Sequence, residues 1–137
     1  MKNVLTNPNN SPVFEWPITI KSEDIDELGH VNNVVYLRWV QEVASAHWQS
    51  KAMKAITDQH LWVVLRHEID YLRPALIDDR ITGQTWVSSM DGVKSVRHVK
   101  FIANGVDVAQ ATTVWCLLDA ATIKPKRIGE DIRAIFM

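Results

Sequence analysis

Cysteine is nearly absent from the chain: Cys116 is the only one. No intramolecular disulfide can form, which removes the disulfide-stapled secreted scaffolds and fits a reducing cytoplasm. Long apolar runs are missing as well. Nothing approaches the roughly 18 consecutive apolar residues of a membrane-spanning helix. The opening MKNVLTNPNNSP carries one Lys and no apolar stretch of about 7–15 residues, so no signal peptide is expected. Charge of one sign is not in excess. The formal net charge is −1, and without a basic field neither nucleic acid nor an anionic membrane surface is an expected partner. The five His are scattered. His67–Glu68 lacks a second His at zinc-ligand spacing, and no metal is expected. Gly-rich phosphate loops and a G-x-S-x-G elbow are absent, which excludes a serine hydrolase of that type. No internal repeat is found.

What is present reads as one globular domain. The chain has 137 residues, 47% hydrophobic and 23% charged, with six Trp. Residues 1–12, rich in Asn, Pro and Ser, are read as a flexible lead-in, and residues 13–137 as the domain. Val13–Ile20 predicts a first strand, with Pro17 suited to an edge position or a bulge. A helix of roughly 20 residues starts near Asn32 or Asn33, both good N-caps, with Tyr36, Trp39, Val40, Val43, Ala44 and His47 at helical spacing. Four strand segments follow: Leu61–Leu72, Arg80–Met90, Ser95–Ala103 and Val106–Asp119. Short turns are expected between them, MDGVK and ANGV being turn signals. A short C-terminal helix is expected in PKRIGEDIRAIF. One strand, one long helix and then a run of strands argues for an α+β class: an antiparallel sheet of about five strands packed on one helix.

The chemistry-bearing residues crowd into one stretch, Asp24–Glu42, DIDELGHVNNVVYLRWVQE. A carboxylate in a loop before a helix lies close to free N–H groups, and the helix N-terminus favours developing negative charge. Such an Asp also serves simply as a cap or loop brace. DIDELGHVNNVVYLRW, taken with IDYLRPALIDD, KSVRHVKFI and ATTVWCLLDAATIKPKRI in that order, resembles the hotdog-fold thioesterases of the 4-hydroxybenzoyl-CoA thioesterase superfamily, with an echo of the plant acyl-ACP enzymes.

That resemblance implies a hotdog fold, one long helix wrapped by a curved sheet. It also implies hydrolysis of an acyl-CoA thioester, acyl carrier protein being the other carrier, without a cofactor. Asp26 matches the catalytic Asp, as general base or nucleophile. His30 matches the HVNN histidine that supports catalysis in the acyl-ACP enzymes; its plainer role is a polar group satisfied at a subunit interface. Those enzymes carry an Asn where this chain has Leu28, so their Asn–His arrangement is incomplete here. The backbone N–H of Asn33 matches the oxyanion donor, and Gly29 lets the backbone turn close to the substrate. Tyr36 is read as packing with its hydroxyl near the site. Glu42 is the alternative carboxylate of a second branch of the family, although a surface ion pair with Arg38 four residues before is the favoured explanation. Asp24 is read as a loop brace. Arg66, Arg73, Lys94, Arg97 and Lys100 are candidates for coenzyme A phosphates, none singled out. Cys116 reads as core. A homodimer or homotetramer in the cytoplasm is implied. A hotdog enoyl-thioester hydratase or dehydratase, and a non-catalytic thioester-binding module, are the alternatives.

Overall fold

The structure, a computed structural model, describes residues 4–137; the first three residues of the predicted lead-in lie outside the described residues. The elements in order are β1 (Phe14–Ile18), α1 (Asn33–Lys51), α2 (Lys54–Thr57), β2 (His60–Tyr71), β3 (Ile81–Asp91), β4 (Lys94–Ala103), β5 (Val106–Asp119) and α3 (Glu130–Phe136). The five strands form one antiparallel sheet in the order β1-β3-β4-β5-β2. Pro17 therefore sits on an edge strand, the place in a sheet where proline is tolerated. Register shifts at Val64/Arg66, Val87/Ser89 and Phe101/Ile102 bend the strands around the helix.

The predicted helical stripe is the buried face of α1. Val35, Tyr36, Trp39, Val40 and Val43 pack on Ile81, Val99, Phe101, Ala109 and Ala111 of the sheet. Farther along, Trp48 and Ala52 join Val87, Leu117, Ile132 and Phe136 in a second cluster that α3 closes. The helix approaches β3 at Gly83, where an added Cβ would stand 2.7 Å from Val43 Cγ2. Only glycine leaves room for the helix there.

Two of the expected turns are hairpins: β3–β4 through Gly92, and β4–β5 through Asn104 and Gly105, both at positive φ. The third is not. Strand β2 forms one edge of the sheet while β3 lies beside the other, so residues 72–80 link distant strands. That segment holds Arg73–Pro74 and two acids, not the Asn-Gly signature of a tight hairpin. The described part of the lead-in is hydrogen-bonded to the sheet. Leu5 N–H donates to Gln110 Oε1 (3.4 Å), and Asn9 Nδ2 donates to the Ser88 carbonyl (2.9 Å).

Candidate active site

The loop before α1 is fastened at several points. Asp24 is buried, 1% exposed. Its carboxylate accepts from the Lys21 N–H and from Arg38 Nη2, each at 2.9 Å. Burial pushes its pKa up, but the Lys21 hydrogen bond and the Arg38 hydrogen bond and charge outweigh it, so the carboxyl stays below the ordinary Asp range. The Asp24 carbonyl accepts from Asn32 N–H, and the Ala75 carbonyl from Val31 N–H, both at 2.8 Å. The loop is thereby tied to the helix start and to the crossover after β2. Arg38 also reaches Glu42, Nε to Oε1 3.3 Å, on the exposed side of α1.

Within this frame Asp26 closes a tight turn. Its Oδ1 accepts from the N–H groups of Leu28 (2.9 Å) and His30 (3.2 Å), while its own N–H donates to the His30 carbonyl (2.8 Å). Gly29 takes φ +79°, a left-handed conformation that side chains disfavour. Among the described residues Oδ2 of Asp26 has no hydrogen-bond donor, so one carboxylate oxygen is held and the other is free. At the helix start the Asn32 side chain caps Val34 N–H (3.1 Å) and its carbonyl takes Val35 N–H (2.9 Å). The Asn33 N–H between them has no acceptor among the described residues.

Asp26, His30, Asn33 and Tyr36 converge on one cleft of about 410 Å³, closed on its far side by Tyr71, Arg73 and Pro74. The Tyr71 hydroxyl donates to the Asn33 carbonyl (3.1 Å), and its ring meets Tyr36 edge-on at 5.6 Å. Burial, with Tyr71 and Asp79 adding, pushes the Tyr36 hydroxyl up to about 12, so it remains a donor throughout the neutral range. An acid with a free oxygen, an unpaired helix N-terminal N–H and the neutral Tyr36 hydroxyl can together hold a carbonyl, activate an attacking oxygen and stabilise an oxyanion.

The structure brings Asp26, His30, Asn33 and Tyr36 together and leaves Glu42 outside, beside Arg38. Gly29 shapes the Asp26 turn. Of the basic candidates only Arg73 lines the cleft. Arg66 pairs with Glu68 on the surface, and Lys100 with Asp107. Arg97 is not a surface cation but a buried one. Cys116 is buried. Tyr71 escaped the sequence reading because it ends a strand far from the motif in the chain. Among the described residues no group of three or more His, Cys, Asp or Glu is placed to hold a metal ion, and no helix is long and apolar enough to cross a membrane.

A family model described as the thioesterase-like superfamily matches residues 20–136. The acyl-CoA thioester hydrolase YbgC of Escherichia coli is 26% identical over 133 residues, covering 93% of this chain and 98% of the relative. The long-chain acyl-CoA thioesterase FadM of Escherichia coli is 25% identical, covering 88% and 94%. Among solved structures, a thioesterase from Thermus thermophilus complexed with coenzyme A and Zn superposes with a TM-score of 0.80 at 28% identity, over 92% of this chain and 98% of that one. A thioesterase-superfamily structure from Jannaschia sp. reaches 0.87 at 15% identity, over 98% and 96%, a likeness of fold.

Proposed function

The chain belongs to the thioesterase-like superfamily, and on that premise we propose that it hydrolyses acyl-CoA thioesters with Asp26 as the reacting carboxylate. Its hotdog fold and its likeness over nearly full length to acyl-CoA thioester hydrolases support the reaction. The observation that carries the residue assignment is the split of the Asp26 carboxylate, in a residue that lines the cleft: Oδ1 is fixed by two N–H groups while Oδ2 has no donor among the described residues. As general base, Oδ2 takes a proton from water as the water oxygen attacks the thioester carbonyl. As nucleophile, it attacks that carbonyl itself and the resulting anhydride is opened by water. In either route the oxyanion lies near the Asn33 N–H and the positive end of α1. In the base route the tetrahedral species expels the coenzyme A thiolate, which is protonated, and leaves the free acid; in the nucleophilic route the thiolate departs as the anhydride forms, and water then releases the acid and restores Asp26.

His30 donates its backbone N–H to Asp26 and so positions the carboxylate, whatever its ring contributes. Arg73, exposed at the rim, supplies a cation for a coenzyme A phosphate. For assembly we propose a homodimer joined along β2, whose edge leaves Leu61, Val63 and Leu65 exposed. The single buried thiol supports a cytoplasmic setting.

The test is free-thiol release from short, long and aromatic acyl-CoAs by wild type and Asp26→Asn. We expect turnover that falls by about a hundredfold or more in the variant. Activity that survives the substitution transfers the chemistry to another carboxylate, Glu42 first. Thiol release from none of the substrates sinks the acyl-CoA reading.

A further inference from the structure

A second cavity, of about 340 Å³, opens at the other end of α1, walled by Trp48, Trp62, Trp115 and Phe136 with Ser45 at the helix side and Arg97 at its base. The positions Asn33 and Trp48 are separated by about 22 Å along the helix axis, so within one chain this is not the Asp26 cleft. Arg97 points inward because β4 alternates Ser95, Arg97, Val99 and Phe101 onto the core face. Its Nη1 donates to His47 Nδ1 (2.8 Å) and to Thr85 Oγ1 (3.0 Å), and its guanidinium carbon stands 6.0 Å from the Phe136 ring centre. Thr85 in turn donates its hydroxyl proton to the His98 carbonyl (2.8 Å). These contacts occupy the two protons on Nη1 and leave three of the five guanidinium donors.

No acid answers this cation. Among the described residues Arg97 makes no ion pair with a carboxylate. A buried guanidinium without a counter-charge is costly, and folded proteins ordinarily pair such a group. His47 cannot relieve it. Accepting from Arg97 forces Nδ1 to be unprotonated, and burial, with Arg97 and Lys51 adding, pushes the ring down to about 3. Burial alone pushes Arg97 down to about 10, so it stays charged at neutral pH. A second donor is also unanswered: Trp115 Nε1 is buried without a partner among the described residues.

We propose that this cavity binds a small organic carboxylate with an aromatic or branched apolar body, the carboxylate supplying the missing partner of Arg97. The Trp and Phe walls take the apolar body, and the remaining guanidinium donors take the two oxygens in the planar manner suited to Arg. The volume falls in the range of small-molecule sites, which are apolar with a few placed polar groups.

Because three Trp line the cavity, binding is read directly by intrinsic fluorescence, without thioester turnover. Phenylacetate and its neutral isostere phenylacetamide are titrated into the intact protein. The acid is expected to bind at least tenfold more tightly than the amide, and Arg97→Met to erase that preference. Ser45→Phe fills the mouth from an exposed helix position and leaves Arg97 intact, so it keeps the test decisive if Arg97→Met fails to fold. Loss of acid binding in Ser45→Phe supports the site. Equal affinity of acid and amide for wild type, no saturable binding of either, or acid binding undisturbed by Ser45→Phe overturns it. A lack of thioesterase activity would leave this readout unchanged.

Discussion

Asp24 and Asp26 are two residues apart and do opposite things because of what surrounds them. Asp24 is sealed against Arg38 and the Lys21 N–H, whereas Asp26 is half-buried with one oxygen bound only within its own turn. Asp24→Asn should lower stability by about 1–3 kcal/mol, since the buried charge-assisted contact is lost while the Lys21 N–H keeps an acceptor. Glu42→Gln removes an ion pair between two exposed groups and should change stability by no more than about 0.5 kcal/mol. Denaturant titration of both variants checks the contrast, and equal losses would refute the assigned roles. His47 supplies a pH signature. Its folded pKa is depressed to about 3 from an ordinary 6.5, so the unfolded chain binds the proton first. Stability from this residue is intact above pH 6.5 and declines as pH falls toward 3, by at most about 1.4 kcal/mol per pH unit. Between about pH 6.5 and about 4.5, above most carboxylates, His47→Asn should unfold with a flatter pH dependence than wild type. An unchanged slope would mean that His47 is protonated in the fold.

At the scale of elements, the contact between α1 and β3 rests on a missing side chain. Gly83→Ala should cost roughly 1–3 kcal/mol through overpacking against Val43. In a Val43→Ala background the same change should cost less by about 1 kcal/mol or more, as expected for directly contacting residues. Thermal melts of the four proteins of that cycle decide it, and additive costs would place the strain elsewhere. The helix, all five strands and the α3 turn were legible in the sequence because each has a local signal. For α1 that signal was a stripe at helical spacing behind an Asn cap, for β4 a strict alternation, and for β5 a long apolar run after an Asn-Gly turn. The crossover after β2 was not legible, since strand order depends on pairing between distant segments and Arg73–Pro74 announces only an end. The same divide runs through the sites. Asp26, His30, Asn33 and Tyr36 sit in one contiguous motif and were found together, while Tyr71 and Arg73 reach the cleft only through the fold. Arg97 was visible in principle: the alternation that groups it with Val99 and Phe101 already puts it on the core face.

For the whole molecule, the decisive feature is the unpaired side of β2. The other edge strand, β1, is five residues long and carries Pro17, both of which discourage further pairing. Strand β2 has twelve residues and no proline, and it leaves Leu61, Val63 and Leu65 at 45%, 40% and 53% exposure. A long edge with an exposed apolar row invites another strand, and a second copy of β2 offers a self-complementary partner under two-fold symmetry. Such a pairing would continue the sheet through two chains and cover the row on both. It would also put residues of a neighbouring subunit beside Tyr71, at the end of β2 that borders the Asp26 cleft. Replacing Val63 and Leu65 together by Lys places two like charges on each edge without touching the cleft. We expect wild type to sediment as a dimer, or as a tetramer of paired dimers, and the double variant as a monomer with a strongly reduced thiol-release rate. Sedimentation of wild type as a monomer would rule out this edge as an assembly surface. A monomeric variant with full activity would instead show that one chain carries a complete site.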